Sequence, residues 1–221
     1  MSLKHFLLLL GFLLKLATSE YQYAVYPASR DDNGNQSRDN GLIVYDVIRN
    51  GYVDQRATSA IYAKYQNYYF GTRIAGMWSI DTSTKMPRNL VMELIQGFEK
   101  YKAPVKKHFI KVTKNSSSWS NPLSNMQSIN NMIAQGMLYG FEMGIYTSHD
   151  DWMAVTGNSS SLIAKLPLWY IKDKSTDGAD TQPNFDDFVP FGPFTASSVV
   201  MKQFSYQSDS YGSSRSVIKL N

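Results

Sequence analysis

Cysteine is absent from all 221 residues. No disulfide can staple this chain, and thiol catalysis and thiolate metal ligation are excluded. Its stability has to come from an apolar core. Histidine is nearly as scarce: beyond the first residues only His108 and His149 remain, with no partner at ligand spacing. A catalytic metal is therefore not expected, and nothing calls for a cofactor. The glycines form neither G-x-G-x-x-G nor G-x-x-x-x-G-K-[ST], so a nucleotide-binding fold of either kind has no support. Long apolar runs are missing too. The stretch Phe6–Leu14 is too short to cross about 30 Å of hydrocarbon. It lies between a basic start (Lys4) and a small-residue exit, Ala17-Thr18-Ser19. That pattern reads as a secretory signal peptide over residues 1–19, with a mature chain of 20–221 that is secreted and extracellular, with no membrane anchor. Nor is there an excess of one charge. The formal net charge of +4 falls to about +2 without Lys4 and Lys15, too little for a nucleic-acid partner.

What is present is enough apolar material for a core: 43% hydrophobic and 14% aromatic residues. Strands are expected at 21–26, 43–48, 73–78, 108–113, 142–146, 167–171, 199–204 and 216–220. Helices are expected at 56–69, 87–101 and 121–139. The second has Pro87 in its first turn and the stripe Leu90, Val91, Leu94, Ile95 and Phe98. The third carries Leu123, Met126, Ile129, Ile133 and Met137 on one face and stops at Gly140. From residue 40 to 146 strand and helix alternate, the order of a parallel sheet with right-handed crossovers. After Tyr146 the strands continue while the helical signal fades into loops. The fold class is α/β, a modified (β/α) TIM-like barrel in one domain with an irregular, helix-poor C-terminal half. An open doubly wound sheet is the competing architecture.

Several features invite chemistry, and each has a plainer reading. His149-Asp150-Asp151-Trp152 follows the strand FEMGIY at the end where barrel sites sit. The group offers an acid or base; equally, Asp150 or Asp151 caps the next helical turn. The basic run Lys100, Lys102, Lys106, Lys107, His108, Lys111 and Lys114 suits an anionic polymer, but such runs are commonly a solvated face. Trp78, Trp119, Trp152, Trp169 and Tyr170 are able to stack on sugar rings or simply to pack. The sequons at Asn35, Asn115 and Asn158 are glycosylation candidates in a secreted chain.

Several segments in order resemble the lysozyme-type glycoside hydrolase family 25 proteins of nematodes and amoebae. They are GIYTSHDDW (144–152), LPLWYIKD (166–173), FDDFVPFGPF (185–194) and VMKQF (200–204). YQYAVY, DVIRNGYVD and GTRIAGMWSID follow the same order more weakly in the N-terminal half. The resemblance covers essentially the whole mature chain and implies a (β/α) barrel that cleaves the β-1,4 bond between the amino sugars of peptidoglycan, in a host-defence setting. It also implies an Asp ending the first strand, an Asp-x-Glu pair ending the middle strand and a further Asp on the last strand. Such chemistry needs one protonated carboxyl for the glycosidic oxygen and anionic groups facing an oxocarbenium-like centre. In this chain those places read as Tyr26, as Val112 and Lys114, and as Lys219. Independently of alignment, the four glutamates Glu20, Glu93, Glu99 and Glu142 are preceded at i−2 by Thr18, Val91, Gly97 and Gly140, so no Asp-x-Glu exists in the chain.

The expectation is a secreted, lysozyme-like barrel without catalysis, binding a bacterial cell-wall glycan or another amino-sugar polymer. The candidate ligand-binding residues are Trp78, Asp81, Tyr146, Trp169 and Gln203. An active muramidase with relocated acids is the first alternative, with Asp81 as the best-placed survivor and Glu142 and Asp150 behind it. An interaction protein without a sugar cleft is the second.

Overall fold

A computed structural model describes residues 21–26, 40–67, 73–80, 86–101, 105–115, 119–172, 181–207 and 213–219. Every expected strand forms: β1 (Tyr21–Tyr26), β2 (Asn40–Arg49), β4 (Arg73–Ser79), β5 (Lys107–Lys111), β6 (Glu142–Thr147), β7 (Leu168–Ile171), β8 (Val199–Gln207) and β9 (Ser213–Lys219). A two-residue strand, β3 (Tyr52–Val53), is added antiparallel to β2. Among the described residues the helices are α1 (Gln55–Asn67), α2 (Pro87–Tyr101), α3 (Pro122–Leu138) and α4 (His149–Thr156).

The nine strands make one sheet, and β1 pairs with β2 as well as with β9. With β3 an appendage, the other eight close into a ring, which rules out the open doubly wound sheet. Pairing is parallel from β1 through β2, β4, β5, β6 and β7 to β8. Only β9 runs the other way, antiparallel to both β8 and β1. The (β/α) barrel is thus modified at its seam: the last crossover helix is replaced by a hairpin, and one reversed strand closes the ring.

Alternation along the strands sorts the apolar residues into two layers. Leu42, Val44, Ala75, Met77, Phe109, Tyr146, Trp169, Met201 and Ile218 fill the interior. Tyr45, Ile48, Trp78, Ile110, Ile145, Leu168 and Tyr170 face outward, in one cluster with Ile61, Leu90, Leu94, Phe98, Ile129 and Ile133 of the helices. The β strands are therefore buried on both faces, as parallel barrel strands must be.

Helix α3 starts where Asn121 accepts the Ser124 N–H at 3.0 Å and Pro122 occupies the first turn. Its buried stripe is Asn125, Met126, Ile129, Met132, Ile133 and Gly136. Leu123 and Met137, expected on that stripe, are exposed. Two packing contacts set the phase. Asn125 bonds the Val155 carbonyl at 2.8 Å, and Gly136 lets Met143 approach so closely that a Cβ there would lie 2.4 Å from its sulfur. Helix α4 occupies a stretch expected to be loop. Ser148 accepts the Asp151 N–H at 3.0 Å, and Gly157 ends the helix at φ 65.

Candidate functional site at the carboxyl end of the barrel

The register of β5 decides which side chains reach the barrel mouth. Met77, Phe109 and Gly144 are neighbours in register on the inner face. A side chain at Gly144 would sit 2.7 Å from the Phe109 ring, so glycine makes room for the phenyl group. One step toward the mouth, Ser79, Lys111, Tyr146 and Trp169 are in register on that same face. Lys111, half-buried, is therefore the inward lysine, and Thr113 is next in the alternation. Val112 is fully buried in the outer layer with Ile110. Its N–H donates to Tyr146 O at 2.9 Å, and its carbonyl accepts from Thr147 Oγ1 at 2.7 Å. Lys114 is exposed in the turn beyond, its backbone N–H donating to Asp151 Oδ1 at 2.8 Å. The assignment of Val112 and Lys114 to the acidic positions is corrected by one residue. An inward i, i+2 pair on this strand would be Lys111 and Thr113.

The other expected positions divide. Ala24 pairs with Leu42 on one side and Ser216 on the other, which puts Tyr26, two residues on, at the same face's register toward the mouth. Lys219 pairs with Tyr21, the first residue of β1. Because β9 runs in reverse, Lys219 lies at the amino end of the barrel, opposite the mouth, and does not hold the place of an active-site acid. Asp81 and Asn35 lie outside the described residues. Glu142 opens β6 at the amino end and is exposed. Sequence reading missed Asp46. It is in register with Met77 on the inner face of β2, and the alternation Leu42, Val44, Asp46 was the available signal. Arg49 Nη2 donates to its Oδ2 at 3.0 Å.

Three of the five ligand-binding candidates come together inside the barrel. Tyr146 OH donates to Gln203 Oε1 at 2.7 Å, and the Tyr146 and Trp169 rings meet edge to face with centroids 4.7 Å apart. Trp169 Nε1 donates to Ser216 Oγ at 3.0 Å. All three are almost fully enclosed, at 5%, 0% and 4% exposure. They form a floor in which the Tyr146 hydroxyl is committed to Gln203 and the Trp169 indole N–H to Ser216. Trp78 is corrected outright: it lies in the outer layer, with Nε1 donating to His108 Nδ1 at 2.9 Å. That bond leaves His108 Nε2–H to donate to Val105 O, also 2.9 Å away. Both ring nitrogens are thereby assigned in a neutral imidazole, and burial pushes the pKa down to about 4, against a smaller upward pull from the Val105 bond. Lys102 lies outside the described residues; apart from Lys111 and His108, the described part of the basic run is an exposed face at Lys100, Lys106, Lys107 and Lys114.

A cleft of about 570 Å³ opens beside the mouth, between the start of α4, the end of β7 and segment 187–191. His149, Asp150, Lys172, Phe188 and Val189 are among its lining. His149 Nδ1 lies 3.1 Å from Asp150 Oδ1, and its ring meets Phe191 edge to face. Asp151 is structural: with Ser148 it forms the cap of α4, accepting Ser148 Oγ at 2.7 Å and the Lys114 N–H. Asp187, at the cleft wall, accepts from Tyr170 OH at 2.6 Å and from Lys202 Nζ at 2.8 Å. Burial acts to raise the Asp187 pKa, but the Lys202 and Tyr170 hydrogen bonds and the Lys202 and Lys172 charges outweigh it and hold it low. Burial, the bond to Asp187 and the carboxylates of Asp187 and Asp186 all push the Tyr170 phenol up. Asn115 is exposed just past β5. Asn158, at φ 61, accepts the Gly192 N–H at 2.7 Å. Among the described residues no three His, Asp or Glu side chains gather as a metal site.

The fold is shared with solved proteins of glycoside hydrolase family 25. The family GH25 lysozyme from Aspergillus fumigatus superposes at a TM-score of 0.61 over 83% of this chain and 84% of that one, with 12% identity. The catalytic domain of an endolysin from a bacteriophage of Listeria monocytogenes gives 0.61 over 92% and 95%, also at 12% identity. In sequence, the Caenorhabditis elegans protein "Lysozyme-like protein 2" is 36% identical over 114 residues, 51% of this chain and 40% of that protein. The chain thus matches about two-fifths of the length of that relative. The profile of the Lysozyme-like protein 1 family matches residues 34–204, and the chain belongs to that family.

Proposed function

We propose that this lysozyme-like protein is a secreted, non-hydrolytic member of its family that binds amino-sugar glycans of the bacterial cell wall. One observation carries the reading: Lys111 ends the inner face of β5, with Thr113 two residues beyond, where an acid pair would project, and the sequence has no Asp-x-Glu to supply it elsewhere. An ammonium, with an ordinary pKa of about 10.4, does not donate a proton to a glycosidic oxygen as a carboxylic acid does. It also repels the cationic centre that glycoside cleavage develops. Asp46 is paired with Arg49 and Asp187 with Lys202, so neither stands as a free acid. Asp150 is exposed beside His149. Because Tyr146, Trp169 and Gln203 are enclosed, a sugar is met at the rim cleft, by His149, Lys172 and the Phe188–Phe191 wall. Asn115 and Asn158, which open two of the sequons, are exposed, which supports their being glycosylated.

Titration calorimetry with muropeptide-derived and chitin oligomers tests the binding, run beside a turbidity assay on bacterial walls. The expected result is saturable heat with no clearing. Clearing that disappears in Asp150→Asn would replace the reading by hydrolysis with a relocated acid. Absence of heat with every amino-sugar oligomer would favour an interaction protein with a filled barrel, the reading that the enclosure of Tyr146, Trp169 and Gln203 independently supports.

A further inference from the structure

Three of the segments that carry the family resemblance meet at one point on the outside of the barrel. Tyr170 comes from PLWY, Asp187 from FDDF and Lys202 from KQF. Lys202 is in register with Tyr170 on the outward face of β8, and its side chain has no solvent exposure. Its ammonium donates to Asp187 Oδ2 and to Gln182 O, both at 2.8 Å, and lies 5.9 Å from the centre of the Tyr170 ring. The Tyr170 hydroxyl takes the other carboxylate oxygen of Asp187 at 2.6 Å. At the rim, Lys172 Nζ adds a bond to the Asp187 carbonyl at 3.2 Å.

The two sides of this cluster are held very differently. Lys202 and Tyr170 sit on strands laddered to their neighbours, so they are fixed points. Asp187 sits in irregular chain, where the backbone bonds run locally, from Phe188 to Phe185 and between Phe191 and Phe194. A buried ammonium without a counter-charge is costly, and a carboxylate that both neutralises it and satisfies a buried hydroxyl is strongly retained. We propose that Asp187 clasps segment 181–191 to the barrel by inserting between Lys202 and Tyr170, which makes Tyr170 and Lys202 positioning residues for the cleft wall formed by Phe188, Val189 and Phe191. This assignment stands whether or not the cleft takes a sugar.

Hydrogen exchange followed by mass spectrometry on the full chain, without ligand, tests it through a peptide covering residues 183–194. Tyr170→Phe keeps the ring and removes one hydrogen bond. It should speed exchange in that peptide about tenfold, the effect of one lost bond, while β4 to β6 keep their protection. Asp187→Asn should speed it further, because Lys202 is then left buried without a counter-charge. The double variant Asp187→Leu/Lys202→Met removes both charges and should be less perturbed than Asp187→Asn alone. Unchanged exchange in Tyr170→Phe would overturn the clasp, even if Asp187→Asn fails to fold. So would an increase spread evenly over β4 to β6, or a double variant as perturbed as Asp187→Asn.

Discussion

At the scale of single residues, His108 shows how burial fixes a protonation state. It accepts from Trp78 and donates to Val105, and it leaves no room at Gly76, where a Cβ would lie 2.3 Å from Nδ1. Its pKa is lowered from the ordinary 6.5 to about 4. Between those values the unfolded chain binds a proton that the folded protein refuses. The sign follows: the stability is fully present above pH 6.5 and drains away as pH falls toward 4. The slope is about 1.4 kcal/mol per pH unit, roughly 3 kcal/mol across the window. Urea unfolding between pH 5 and 7, above most carboxylate titrations, should show a midpoint that falls on acidification. In His108→Gln, whose amide is able to keep both bonds, that slope should largely disappear. An equal slope in both proteins would show that His108 is not the titrating group. Little of this was legible beforehand. In sequence His108 belonged to a basic run, and only the packing of Trp78 and Phe98 around it made it an uncharged core residue.

At the scale of the element, β5 is the instructive case. Alternation shows that Phe109, Lys111 and Thr113 share one face and Ile110 and Val112 the other, but both sets contain apolar residues, so the pattern does not say which face is inside. The expected acid places, Val112 and Lys114, fail for that reason. The outer face of a barrel strand is covered by helices and is as apolar as the interior. Here Phe109, admitted by Gly144, takes the inside. The structural phase makes a sharp mutational contrast. Val112→Asp puts an unpaired carboxylate into the sheet–helix layer and should cost more than about 4 kcal/mol. The double variant Lys111→Asp/Thr113→Glu faces the mouth and should stay folded, within about 2 kcal/mol of the parent by urea melts. The reverse order of stabilities would show that the strand is out of register. Helix α4 was missed at the same scale, because its eight residues place too few apolar side chains to display a helical period. Its Ser148 cap and terminal Gly157 were the readable signals.

At the scale of the whole molecule, the barrel depends on its last strand. β9 is bonded to β8 and β1 and supplies Ser216 and Ile218 to the interior. Ending the chain before residue 213 would expose two strand edges and leave the Trp169 indole N–H without Ser216. Such a chain is expected to lose its cooperative thermal transition and to aggregate, by circular dichroism and light scattering. Retention of a sharp transition would mean that the ring does not need its seam. The strand itself was legible as an apolar run, but its direction was not, and Lys219 was consequently placed at the wrong end of the barrel.

By itself the sequence determined eight of the nine described strands, three of the four described helices, the absence of thiol chemistry, and the absence of any Asp-x-Glu, since these depend on residue identity and local period alone. Only the tertiary structure decided ring closure, the inward phase of β5, the enclosure of Tyr146, Trp169 and Gln203, and the meeting of Tyr170, Asp187 and Lys202. Each of these is a relation between segments far apart in the chain. It is settled by which faces can be buried together and which charges must be paired once water has been removed.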